Sequence, residues 1–356
     1  MAGSVLSAVY GAKKGYDGYQ KHSEADEIVK SAQVRYQTKK SAFDDQEKET
    51  TFALEILGEK ELEIGESIGE FKTLAEKLLE QLNTKREDKL KINFPQHKLQ
   101  KIANYSYTAI GVLGSAVGAG VAGAAAGFAV YGGVMALGVA STGTSISALS
   151  GAAATKAALA AIGGGSLSAG GWGMAGGRLI LGGATLAPML AIAGWAYNSH
   201  GEESLKNARK ANEEVNEAIK KLMKAIEHLI ETKAYSIKIR RELISIFSQF
   251  KEYFETLKKI NTFIEDLKGG SEDSQIEIDK FSDEVIHAVN NGYALAAILV
   301  DLITTPIFKT KKINEEVVRD ENGMPEMEQD EDGSMILNNS MLNVALSEAK
   351  AQAEKI

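Results

Sequence analysis

Two glycine-rich runs have the spacing of a dinucleotide-binding fingerprint. Residues 118–123 (GAGVAG) and 171–176 (GWGMAG) both match G-x-G-x-x-G, whose glycines let a pyrophosphate approach the backbone at the start of a helix. That chemistry also needs a strand before the glycines and an acidic residue about 20 positions after them. Neither run has this setting, and a chain with 35 glycines matches so short a pattern by composition. We therefore predict no nucleotide site.

The other residues that could perform catalysis or bind a metal are isolated from one another. Residues 151–156 (GAAATK) lack the second glycine of a phosphate-binding loop. Glu328, Asp330 and Asp332 are spaced like the start of a calcium loop, but Asn339 stands where a bidentate glutamate is needed. The chain has no cysteine. Its histidines have no metal-ligand spacing; they are His22, His97, His200, His228 and His287. We predict no enzyme, no cofactor and no metal site.

The most unusual segment is apolar and extends from about residue 108 to residue 197. No charged residue lies between Lys101 and Lys156, and Arg178 is the next charge after Lys156. A helix that spans a bilayer needs about 20 apolar residues, so this run is long enough for more than one span. We predict that it inserts into a membrane. The alternatives are a Gly/Ala-rich soluble core and a low-complexity linker.

Small residues inside this segment are spaced for close helix packing. One stripe follows i, i+4 spacing, and two further G-x-x-x-G pairs occur. The predicted packing residues are Gly111, Ser115, Ala119, Gly123 and Gly127, then Gly114 with Gly118, and Gly173 with Gly177. In lipid such residues let two helix backbones approach closely. Aromatic rings that favour the lipid–water boundary stand near the ends of the apolar pieces, at Trp172, Trp195 and Tyr197.

The apolar segment divides into helical pieces near residues 106–139, 145–162 and 178–197, the last a weak candidate because glycines and Pro188 interrupt it. Basic residues flank both ends of the segment, which predicts an even number of spans and favours a hairpin. We predict contact with lipid head groups for Lys98 and Lys101 before the segment, and for three lysines that follow the later bundle helix: Lys309, Lys311 and Lys312. A solvated helix end explains the first basic cluster equally well.

Outside the apolar segment the hydrophobic spacing predicts long helices. Apolar residues alternate steps of three and four on both sides, at Ile64, Ile68, Phe71, Ala75, Leu78 and Leu82, and at Val215, Ile219, Leu222, Ile226 and Leu229. A second seam follows at Leu243, Phe247, Phe250, Phe254 and Leu257. We predict a mainly buried helix near 275–303 and a short one near 340–354. The fold class is all-α, an elongated antiparallel helical bundle or coiled coil with a Gly/Ala-rich hydrophobic hairpin.

These patterns divide the sequence into four predicted regions: residues 1–105 with the first long helix, 106–199 with the membrane-insertion hairpin, 200–310 with the later bundle helices, and 311–356 with an acidic tail and a short terminal helix. The net charge of −8 argues against nucleic-acid binding. The amino terminus lacks the charge order of a secretory signal peptide. We expect a bacterial protein made in the cytoplasm and associated with the inner membrane, or with a target membrane after release.

The arrangement resembles the α-helical pore-forming toxins of the cytolysin A type, in which an apolar head interrupts an elongated helical bundle. The apolar segment is similar to the hydrophobic hairpins of colicin pore domains and apolipoprotein L. Its runs at 141–144 (STGT), 149–155 (LSGAAAT) and 163–171 (GGGSLSAGG) are similar to poorly characterised bacterial glycine-rich membrane proteins. This resemblance implies a bilayer as partner and assembly with copies of itself or related subunits.

Two functions fit the sequence best. The first is a membrane-inserting pore former or membrane-perturbing protein, toxin-like or effector-like, that oligomerises. The alternative is a bacterial membrane-anchored coiled-coil scaffold without pore activity. A phage structural protein with an apolar segment is a third possibility, and it would not bind lipid.

Overall fold

The computed structural model describes residues 2–83, 89–115, 125–132, 201–267, 280–314, 316–318 and 325–356. These residues form six helices: α1 (Ala2–Asn83), α2 (Gln96–Ser115), α3 (125–132), α4 (Gly201–Leu267), α5 (Ser282–Ile303) and α6 (Asn339–Ala353). Two short antiparallel strands, β1 (Lys312–Ile313) and β2 (Glu316–Val317), form a hairpin. The all-α prediction is confirmed, with the two long helices α1 and α4 packed on each other.

The two long helices run parallel, so the prediction that they are antiparallel is wrong. The residue numbers of the contacting pairs increase together along both helices, from Glu24 with Arg209 to Glu63 with Lys251. The series ends where Lys77 meets Glu265. The heptad seam fits either direction, and the long connection through residues 84–200 gives the chain enough length to return before α4 begins.

Two shorter helices run in the opposite direction beside the later halves of α1 and α4. In α2, Ser106 lies by Gly69 and Ala109 lies by Gly65, so α2 is antiparallel to α1. The Phe281 ring just before α5 contacts Phe263 of α4, and His287 within α5 contacts the earlier Tyr253, so α5 is antiparallel to α4. The later half of the structure is therefore a four-helix bundle with mixed directions.

The hydrophobic spacing places the predicted seams in the core of this bundle. Ile64, Ile68, Phe71, Ala75, Leu78 and Leu82 have no exposed surface, and Leu243, Phe247, Phe250, Phe254 and Leu257 are buried opposite them. The Phe71 ring lies at the centre, 5.1 Å from Phe250, 5.9 Å from Phe254 and 5.2 Å from Tyr293 between ring centroids. The contact with α5 is close because Gly292 leaves room for the Phe71 ring.

Helix α5 is buried in the bundle, as the sequence predicts for residues 275–303, but it begins later, at Ser282. Among the described residues it is the one helix with the length and composition of a membrane span, and 67% of its apolar 18-residue stretch is buried. The core helix of a soluble protein passes the same test.

The segment after α5 lies back along the middle of α4. The Phe308 ring stands 6.0 Å from the His228 ring, and Lys224 pairs with Asp332 at 2.9 Å. Asp330 closes a turn by accepting hydrogen bonds from the Asp332 and Ser334 amides, and Gly333 adopts a φ of 83°. Helix α6 then follows, close to the predicted 340–354. The acidic residues thus form a turn rather than a cation loop.

Candidate functional site

Three glycines on one face of α1 form a groove that holds the start of the apolar segment. Gly58 and Gly65 are seven residues apart and Gly69 follows four later, so all three project from the same side of the helix. Helix α2 and residue Ala125 at the start of α3 lie against them. We call this surface the glycine groove.

Side chains in the groove would collide with the docked segment. A Cβ atom at Gly65 would overlap the Ala109 side chain, and one at Gly58 would overlap the Ala125 backbone carbonyl. At Gly69 a Cβ atom would stand 2.5 Å from Ser106 Oγ. The absence of side chains therefore lets the α1 backbone come close to α2 and α3, as small residues do at close helix crossings.

The docked residues of the apolar segment are buried. In α2, Ile102, Tyr105, Ala109 and Val112 are at most 1% exposed. In α3 the buried apolar residues are Ala125, Ala126, Phe128, Ala129, Val130 and Tyr131. The Phe128 ring packs 6.1 Å from Tyr105. This part of the predicted membrane segment therefore belongs to the bundle core in the structure.

A buried acid lies between the glycines of the groove. Glu61 is 3% exposed, and its Oε2 atom has no hydrogen-bond partner among the described residues. The Tyr105 hydroxyl donates a 2.7 Å hydrogen bond to the Glu61 backbone carbonyl, not to the carboxyl. Burial raises the pKa of Glu61 well above its ordinary range, because the charged form loses its water. The same burial, with the charge of Glu61 as a smaller cause, raises the pKa of Tyr105.

The next acid on the helix behaves in the opposite way. Burial alone would raise the pKa of Glu63, but hydrogen bonds from Lys60 and Lys251 lower it overall. These two lysines link α1 to α4 beside the Phe247 ring, with Lys251 Nζ 4.3 Å from the ring centroid. Glu63 thus has two charged partners, whereas Glu61 has none among the described residues. Of these two acids, Glu61 is the one whose burial destabilises the bundle.

The outer face of α2 is partly apolar and exposed. Tyr107 is 62% exposed and Ile110 is 47% exposed. Gly114 is exposed as well, and a Cβ atom built there would meet no atom of the described residues within 4 Å. Ile110 lies at the edge of the face that contacts Gly69 of α1, so Tyr107 is the large apolar side chain that α2 leaves on its outside.

The structure locates some of the predicted packing residues. Gly111 is half-buried, Gly114 is exposed, Ser115 ends α2 and Gly127 is buried in α3. The others lie outside the described residues: Gly118, Ala119, Gly123, Gly173, Gly177, Trp172, Trp195 and Tyr197. Their role in membrane insertion stays a prediction. The glycine-rich runs at 118–123, 151–156 and 171–176, for which we predict no nucleotide site, include residues outside those that the structure describes.

The predicted head-group lysines fall in two places. Lys98 and Lys101 lie on α2, where Lys101 Nζ pairs with Asp301 at 2.5 Å. Lys309, Lys311 and Lys312 are exposed near the β-hairpin, where Lys311 pairs with Glu326 at 2.8 Å. Lipid contact by these residues stays a prediction.

The described ends of the apolar segment are far apart. Ala125 lies at Gly58 of α1. Arg209 lies beside Glu24, so Gly201, eight residues earlier in a parallel helix, is level with about residue 16. The two levels differ by about 42 residues of helix, or ~60 Å along α1. Residues 133–200 connect these two levels.

Neither the buried Glu61 nor the groove of Gly58, Gly65 and Gly69 was predicted from the sequence. Their spacing on one helix face was the available signal, because glycines that merely weaken a helix need no common face. Nothing in the sequence marks Glu61 among the many acids of α1. Comparison of the chain with protein-family models, curated proteins and solved structures finds no match.

Proposed function

We propose that the chain is a membrane-inserting protein that keeps the start of its apolar segment docked in the glycine groove until release. The single observation that carries this proposal is the groove itself. Segments of membrane-like composition lie in backbone contact with three glycines of a charged helix. The proposal involves no catalytic step.

Glycine contacts suit a segment that must leave its docking site. They allow close approach, but glycine adds no side chain that interlocks with α2. Glu61 adds a local weakness, since its buried Oε2 atom has no partner among the described residues and so opposes the packing around it. The docked state is thus closely packed and locally destabilised.

The same small residues can pack again once the segment reaches lipid. Gly111 and Ser115 belong to the predicted stripe and Gly114 to a predicted G-x-x-x-G pair, and helices in a bilayer associate through such surfaces. We infer that several copies assemble, because one hairpin encloses no channel. Lys98 and Lys101 would then face lipid head groups, after the Lys101–Asp301 pair separates.

The distance between the ends of the segment supports a rearrangement. A hairpin in a bilayer needs both of its ends at one surface. In the structure Ala125 and Gly201 lie beside positions of α1 that are ~60 Å apart, at a helical rise of about 1.5 Å per residue. Insertion as a hairpin therefore requires α2 or α3 to leave its present position.

Liposome flotation and dye release on the full chain test this proposal together. Flotation with dye release is the expected result. Flotation without release would favour the membrane-anchored scaffold instead, and a chain that remains with the soluble fraction would contradict membrane insertion altogether. A variant with Ile110–Tyr197 deleted serves as the matched control and should not float.

A further inference from the structure

A row of exposed apolar residues runs along α4 at a strict seven-residue spacing. Met223 is 46% exposed, Ile230 is 49%, Ile237 is 44% and Ile244 is 40%. We call these four residues the outer stripe. They extend over 21 residues, or ~32 Å of helix.

The outer stripe is separate from the surfaces of α4 that the described chain uses. Leu222, Leu229 and Leu243 are buried on another side of the helix, where the Leu229 carbonyl accepts a hydrogen bond from Thr50 of α1. A third side, through Lys224 and Tyr235, contacts Asp332 and Asn343 of the C-terminal segment. The outer stripe lies on none of these contacts. Seven-residue spacing is the pattern by which one helix packs lengthwise on another.

The charges beside the outer stripe indicate which helix fits. Glu227 and Arg241 stand seven residues before and after Ala234, on the same exposed face. Glu231 and Lys238 stand three before and four after it, and both are exposed. Among the described residues, no ion pair includes Glu227, Glu231 or Arg241.

We propose that the outer stripe binds a second copy of this chain, antiparallel, about a two-fold axis at Ala234. In that arrangement Glu227 of each copy faces Arg241 of the other, and Glu231 faces Lys238. In a parallel arrangement each charged residue would face the same residue of the other copy, and the repulsion between like charges would be unfavourable. Ala234 at the axis has a small side chain, so the two helices can approach there. The contact is self-complementary and closes as a dimer.

This inference differs from assembly through the small-residue stripe of the apolar segment. The outer stripe is part of the described bundle and needs no lipid. A dimer formed through it would exist in water before any membrane is met. Its failure would leave the proposed membrane insertion untouched.

Single cysteines test the direction of pairing, because the chain contains no cysteine of its own. Lys220 and Ser248 stand 14 residues before and after Ala234 and are exposed. Under oxidation, Ala234→Cys should give a covalent dimer. Lys220→Cys alone and Ser248→Cys alone should each give no covalent dimer, although each still dimerises, and the two variants should cross-link to each other when mixed. Efficient cross-linking of Lys220→Cys to itself would overturn the antiparallel arrangement.

Charge reversal tests the proposed contacts without cross-linking. Sedimentation of the full chain over a range of concentrations should show a dimer. Glu227→Arg alone, or Arg241→Glu alone, should weaken dimerisation by about tenfold or more, since each places like charges opposite each other twice. The double variant should restore it. A chain that stays monomeric at all concentrations, for instance because its own residues cover the outer stripe, would overturn the proposal, as would equal dimerisation of all four proteins.

Discussion

The buried Glu61 carboxyl should make the bundle less stable as pH rises. Burial raises the pKa of Glu61 in the folded protein above the ordinary value of 4.5. The folded protein therefore holds the proton more tightly than the unfolded chain does. The stability that this provides is fully present below the ordinary value and is lost as pH rises through the folded pKa. Paired surface acids such as Glu63, whose pKa is lowered, act in the opposite sense.

The size of the effect follows from one proton. Uptake of a single proton on folding changes the free energy of unfolding by at most ~1.4 kcal/mol per pH unit. An ordinary domain is stable by only ~5–15 kcal/mol, so a loss at up to this slope is measurable in the pH window that begins at the ordinary value of 4.5 and extends upward. Glu61→Gln has nearly the same size and no charge, so it should remove this dependence.

Urea unfolding followed by circular dichroism at several pH values measures the effect. The difference in free energy of unfolding between Glu61→Gln and the parent should grow with pH in this window. Glu66→Gln, on an exposed position of the same helix, is the matched control and should change little. Parallel curves for the parent and Glu61→Gln would refute the reasoning, because Glu61 would then ionise in the folded state as freely as in water.

Further expectations concern the groove and the core, each measured as a free energy of unfolding in urea. Gly65→Ala should destabilise by about 1–3 kcal/mol through collision with Ala109. The control Gly114→Ala, where no described residue stands within 4 Å of the added Cβ atom, should be neutral or stabilising by up to ~1 kcal/mol. Equal effects of the two substitutions would show that the groove is not a packing surface. Phe71→Ala should cost about 3–5 kcal/mol, since three aromatic rings surround this fully buried side chain, and a loss below ~1 kcal/mol would contradict that packing. Lys101→Met should cost less than ~1 kcal/mol, because its pair with Asp301 is partly solvated; a larger loss would mean that the pair holds α2 in place.

The spacing of apolar residues predicted the helices and the core well. Ile64 through Leu82 and Leu243 through Leu257 repeat every three or four positions, and helix formation buries such a row whatever its partner is. The burial of α5 was also predictable, because Asp301 interrupts its apolar end. These are local consequences of one helix with one apolar face.

The direction of the long helices was not predictable from the same spacing. A heptad seam reads alike in both directions, so parallel and antiparallel pairing differ only through distant contacts such as Glu63 with Lys251. The glycine groove depended on contacts of the same kind, between α1 and residues about 40 to 70 positions later. The burial of Glu61 follows from that docking, which is why no local pattern revealed it.

Locking α2 to α1 tests most directly whether the apolar segment must leave the glycine groove. A Cβ atom built at Gly69 would stand 3.9 Å from Ser106 Cβ, within the ~3.5–4.5 Å range of a disulfide. The variant Gly69→Cys with Ser106→Cys can therefore be locked by oxidation and unlocked by reduction, with each single variant as control. The measurement is dye release from liposomes in both redox states. We predict that the oxidised double variant releases no dye and that reduction restores release, while the single variants leak in both states. Equal release by the oxidised and reduced double variant would show that α2 stays docked during membrane permeabilisation, and would contradict the proposed role of the groove.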